Sequence, residues 1–76
     1  MQISIEYCSV WNYLPRASGL EAELKGKFDG VGVELISSGG GVFEVTLDGG
    51  LIFSKKSLDR FPDDGEIETL IRRNTD

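Results

Sequence analysis

The stretch Ile3-Ser4-Ile5-Glu6-Tyr7-Cys8-Ser9-Val10-Trp11-Asn12-Tyr13-Leu14-Pro15-Arg16-Ala17 decides how this 76-residue chain folds. Ile3, Ile5 and Tyr7 recur at period two with Gln2, Ser4 and Glu6 between them, the pattern of a strand with one buried face. Cys8, the only cysteine, falls at the carboxyl end of that strand. Asn12 is a candidate N-cap, and Pro15 fits a first helical turn, where backbone N–H groups have no intrahelical partner to lose. The spacing therefore predicts that Cys8 lies just before a helix N-terminus. There, unpaired N–H groups and the positive end of the helix dipole stabilise a thiolate.

Working outward, Leu14, Ala17, Leu20, Leu24 and Phe28 recur at three- and four-residue spacing and form one helical stripe. Glu21 with Lys25, and Glu23 with Lys27, support it at i,i+4, and Asp29-Gly30 stops it. Val31, Val33 and Leu35 alternate with Gly32 and Glu34, so a second strand follows, through Ile36. A strand, helix and strand in succession make a right-handed crossover to a parallel strand, which brings Cys8 and Ser37 to the same edge.

Ser37-Ser38-Gly39-Gly40-Gly41 reads as a turn before a third strand of Phe43, Val45 and Leu47. Asp48-Gly49-Gly50 then closes a hairpin with Leu51-Ile52-Phe53-Ser54. The hairpin returns Ser54, Lys55 and Lys56 to the Cys8 end, and the first strand is expected between the second and the third. Asp63 and Glu66 resemble a capping box ahead of Ile67, Leu70 and Ile71, and Arg72-Arg73 complement the other end of that helix. The predicted class is α+β, one domain over 1–76 in the order β-α-β-β-β-α. It is a two-layer sandwich with both helices on one face of a four-stranded mixed sheet.

Composition narrows the chemistry. The net charge is −5 and the eight basic residues are scattered from Arg16 to Arg73, so no nucleic-acid partner is expected. The absence of histidine removes the usual general base and most zinc sites, and one cysteine excludes an internal disulfide. No apolar run approaches the ~20 residues that span a bilayer, and the first residues lead directly into a strand. A cytoplasmic monomer with no membrane contact is the expectation. Gly39-Gly40-Gly41 is followed by no Lys-Ser or Lys-Thr, so it reads as a turn and not a phosphate loop. Asp63, Asp64, Glu66 and Glu68 form an acidic cluster, but capping accounts for the first three and no metal is expected.

The segment Tyr7 to Ala17, followed by Gly39-Gly40-Gly41-Val42-Phe43-Glu44-Val45, Ser54-Lys55-Lys56 and Arg60-Phe61-Pro62, resembles the selenoprotein W-related Rdx family (SelT/SelW/SelH) in order and spacing. The resemblance implies a thioredoxin-like fold and a Cys-x-x-Cys or Cys-x-x-selenocysteine motif at the first strand-to-helix turn. Cys8 matches the first motif position. Trp11 stands at the second, so the sulfur or selenium that resolves a mixed disulfide is missing. The implied site is Cys8 and Trp11 with Ser9, Val10, Gly40, Gly41, Lys55 and Phe61 around them.

Two functions are compatible with these residues. In the first, Cys8 is a monothiol that exchanges with glutathione or a partner's thiol, with no tightly bound cofactor. Lys55-Lys56 would then stabilise the thiolate or attract an anionic thiol such as glutathione. In the second, the domain is a redox-inactive module that binds another protein through the Trp11 and Phe61 region. A free cysteine also serves as a small buried hydrophobe, and Trp11 equally suits a ring folded over the sheet edge, so the residues leave both open.

Overall fold

The computed structural model describes residues 1–75. The elements are β1 (Gln2–Cys8), α1 (Leu14–Lys27), β2 (Gly32–Ser38), β3 (Phe43–Leu47), β4 (Gly50–Ser54), α2 (Lys55–Leu58) and α3 (Glu66–Thr75). The sheet order is β2-β1-β3-β4, with β2 parallel and β3 antiparallel to β1, as the crossover and the hairpin predict. Registration follows from the alternation of apolar residues. Ile3 pairs with Val33 and Leu47, and Ile5 with Leu35 and Val45, so these hydrophobes of three strands share one face, while Ile36, paired with Glu6, falls on the other and is exposed. Ala17 and Leu24 of α1 and Ile67 and Ile71 of α3 complete the core on that face. The opposite face carries Ser4, Glu6, Glu34, Glu44 and Thr46, and Ser4 and Thr46 hydrogen-bond across it.

Three local features differ from the sequence reading. Asn12 is not the cap of α1. It adopts φ 60°, a left-handed conformation that asparagine tolerates, and closes a turn by donating its N–H to the Ser9 carbonyl at 3.1 Å. Tyr13 takes the cap position without a side-chain bond, and its N–H reaches the Cys8 carbonyl at 2.9 Å. Leu14 is exposed, and the Tyr13 ring packs against the core instead. The third difference is α2, a single turn absent from the predicted order. Ser54 Oγ caps it by accepting the Ser57 N–H at 3.1 Å, and Asp59 at φ 58° ends it. Four residues are too few to show a helical period.

The third strand also places Glu44 directly opposite Glu6, an arrangement that repels. Glu44 gains two donors in return, Ser54 Oγ at 2.5 Å and the Lys56 N–H at 3.3 Å, and so holds the first turn of α2. At the hairpin, Val45 faces Phe53 while Thr46 faces Leu51, so Ile52 is the extra residue of a bulge.

The start of α3 keeps half of the expected capping box. Glu66 Oε1 accepts the Asp63 N–H at 2.9 Å, and Arg60 adds a two-pronged bond at 2.7 and 2.9 Å to the same carboxylate. The Arg60 guanidinium, with the Asp63 N–H, lowers the Glu66 pKa from 4.5 to about 2. A carboxylate depressed on folding stabilises the fold above its unfolded pKa, and that stabilisation fades as pH falls through the folded value. The contribution of Glu66 should therefore be complete above pH 4.5 and vanish toward pH 2. Denaturant midpoints across that window are expected to fall less steeply in Glu66→Gln than in the parent. Equal slopes would show that the pair does not govern acid stability.

Candidate thiol site at the strand-to-helix turn

Cys8 ends β1, and its own N–H is fixed to the Val42 carbonyl at 2.9 Å. The chain then turns sharply. Ser9 donates both its N–H (2.9 Å) and its Oγ (3.2 Å) to the Ser38 carbonyl, tying the turn to the end of the parallel strand. The Asn12 conformation reverses the backbone so that the Trp11 N–H points at Cys8 Sγ, 3.3 Å away. The sulfur thus has a backbone donor, though from the turn and not from the first turn of α1. It is also 0% exposed, so the accessible thiol expected of a monothiol is not the resting arrangement.

Trp11 is 63% exposed, and Val10 is 80% exposed. The indole nonetheless rests on Gly41, where an added Cβ would lie 3.0 Å from Trp11 Cζ3. Gly41 is buried at φ 70° and Gly40 has φ 69°, so the backbone favours glycine at both, and at Gly41 the close approach of the indole requires it as well. The ring is folded over the glycine turn along one edge, as one sequence reading expects, and its remaining surface faces solvent.

A stack of rings continues from Trp11. Tyr13 meets Trp11 edge-to-face at 6.3 Å and Phe61 at 4.7 Å, and Phe61 meets buried Phe43 at 5.5 Å. Such pairs add about 0.5–1.5 kcal/mol each beyond their burial. Arg16 lies over the Phe61 ring at 4.0 Å, while Lys55 stands 5.6 Å from the Tyr13 ring centre and 5.4 Å from that of Phe61. A cleft of about 400 Å³ is lined by Trp11, Gly40, Gly41, Val42, Lys55, Lys56 and Asp59.

The structure thus brings Cys8, Ser9, Trp11, Gly40, Gly41, Lys55 and Phe61 to one end of the sheet. Val10 projects away from it into solvent. Tyr13, Arg16 and Glu44 were missed by sequence reasoning. Stacking leaves no periodic signature, and the only clue to Glu44 was an acidic residue at an otherwise ordinary strand position. The acidic cluster is divided among cations: Glu66 binds Arg60, and Glu68 binds Arg72 at 3.0 Å and approaches Lys27 at 4.0 Å.

Fold and site together define a thioredoxin-like α+β domain with a cysteine at the turn from the first strand into the first helix. The Rdx family model matches residues 2–73, and the chain belongs to that family. Chicken (Gallus gallus) selenoprotein W is 33% identical over 76 aligned residues that cover 93% of this chain and 88% of the relative. Migration and invasion enhancer 1 from Bos taurus is 30% identical over 96% of this chain, which spans 64% of the length of that relative. Among solved structures, the crystal structure of the selenoprotein W-related protein from Vibrio cholerae superposes with a TM-score of 0.92 at 31% identity, covering 99% of this chain and 96% of that one. Among the described residues, no helix is long and apolar enough to cross a membrane.

Proposed function

We propose that this domain carries out thiol exchange through Cys8 alone, with resolution supplied by glutathione or a partner's thiol. The observation that carries this reading is the Trp11 N–H aimed at Cys8 Sγ at 3.3 Å, because a donor fixed on the sulfur strengthens as negative charge develops there. The Cys8 thiolate attacks one sulfur of a partner disulfide. The old S–S bond breaks, a new one joins Cys8 to the partner, and the departing sulfur takes up the proton that Cys8 gave to solvent. A glutathione thiolate then attacks the partner's sulfur in the mixed disulfide, releases Cys8 and remains bonded to the partner, so no second sulfur of this chain is needed. Since Sγ is fully covered, exchange requires the Ser9–Tyr13 turn to open.

With oxidised glutathione, the native protein is expected to gain one glutathione per chain, or a dimer linked through Cys8, on the time scale of minutes. Intact mass and non-reducing electrophoresis read both products. A protein that remains unmodified when native, but reacts once unfolded in denaturant, would rule out native exchange. Burial of Cys8 beside an exposed Trp11 favours a second reading for that outcome, a protein-interaction module that uses the Trp11 and Phe61 surface.

A further inference from the structure

The charges of this acidic chain are unevenly distributed. Lys25, Lys27, Arg60 and Arg72 each pair with a carboxylate. Arg16, Lys55, Lys56 and Arg73 make no ion pair among the described residues. Arg73 stands apart on α3, and Arg16 lies over the Phe61 ring and lines the neighbouring cleft with Asp63 and Asp64, whereas Lys55 and Lys56 stand beside Trp11 in one cleft. The largest exposed apolar group of the chain, the Trp11 indole, lies beside these two lysines. Tryptophan flanked by cations is the combination that dominates interface energetics, since the ring supplies desolvated area and the charges supply orientation and steering.

We propose that this surface docks an acidic peptide segment of a partner protein, with a bulky apolar side chain against Trp11 and one or two carboxylates facing Lys55 and Lys56. The inference rests on the interaction-module reading and needs no reaction at Cys8. A chain of net charge −5 repels an acidic peptide over most of its surface, so the pair of lysines beside Trp11 favours docking at this end. The carboxylates nearby set the limits of the footprint. Asp59 lines the far side of the Trp11 cleft, and Glu44 is occupied by Ser54 and the Lys56 N–H. Asp63 and Asp64 line the neighbouring cleft beyond Phe61, so the acidic groups of the partner must stay on the Trp11 side of that ring. Glu44 is the positioning residue, because it holds the first turn of α2 and with it Lys55.

Trp11 is the only tryptophan, so its emission reports on this surface alone. The reduced protein is titrated with cysteine- and tryptophan-free peptides, each with Asp and Glu around one Leu or Phe. Matched peptides with Asn and Gln, or with Lys, in the acidic positions serve as comparisons. Only the acidic set is expected to shift the emission to shorter wavelength, with an affinity that falls as salt rises. Lys55→Gln with Lys56→Gln should weaken binding on the order of tenfold, the scale of losing two charge contacts. Lys25→Gln should leave it unchanged, and circular dichroism confirms that both variants fold. Equal binding of the Asn and Gln peptides would overturn the partner chemistry while leaving the interaction-module reading intact. No shift with any peptide would remove both. Comparable shifts with RNA or anionic phosphatidylserine vesicles would overturn the inference by showing a general response to polyanions.

Discussion

Replacing Trp11 with cysteine is expected to convert this domain from a monothiol into a dithiol protein that closes an internal disulfide with Cys8. The turn is already shaped for it. The Trp11 backbone nitrogen lies 3.3 Å from Cys8 Sγ, and one N–Cα bond of about 1.46 Å separates it from the Cα that would carry the new thiol. A tight turn brings residues three apart to Cα separations under about 7 Å, close to the roughly 4.4–6.8 Å that disulfides occupy. Removing the indole also uncovers the glycine turn beside the sulfur. The stability cost should be small, because the ring is largely exposed and its main contact is the edge resting on Gly41. Equilibrated in a glutathione redox buffer and quenched with acid, Trp11→Cys should pass from two free thiols to none. Its potential should fall within the roughly −270 to −120 mV covered by dithiol oxidoreductases. A folded variant that keeps both thiols, or carries only glutathione adducts, would mean that this turn is not built as a Cys-x-x-Cys site.

Phe43→Ala is expected to cost about 3–5 kcal/mol, the range for deleting a buried aromatic ring. A chain of this size has roughly 4–11 kcal/mol of total stability, so the variant should be close to unfolded at ambient temperature. The effect reaches the site because Phe43 is the buried end of the ring stack: it backs Phe61, and Phe61 in turn supports Tyr13, Arg16 and Lys55. Phe43→Leu keeps most of the volume and should cost under about 1.5 kcal/mol, while still loosening Phe61. Urea unfolding compares the variants, and Trp11 emission in Phe43→Leu reports whether the stack has shifted. If Phe43→Ala loses less than about 1 kcal/mol, the ring is not the anchor described here.

The period-two and helical patterns were sufficient, without any tertiary information, for the sheet order, the parallel crossover, both long helices and the return of Lys55 to the Cys8 end. Those features depend on which face of each element is apolar, and a burial pattern is written directly into residue order. The motif around Cys8 and Trp11, and with it the family, was legible for the same reason: it is a matter of residue type and spacing. What required the tertiary structure was how the site is closed. Whether Cys8 is covered depends on packing from strands and loops distant in sequence. The conformation of Asn12 and the single turn of α2 are settled by hydrogen bonds to Ser9 and Ser54, too local to leave a period. The convergence of Trp11, Tyr13, Phe61, Arg16 and Lys55 is a further case, since rings and cations meet through side-chain direction in space. No spacing along the chain encodes a contact between Arg16 and Phe61, and only the fold brings them within 4.0 Å.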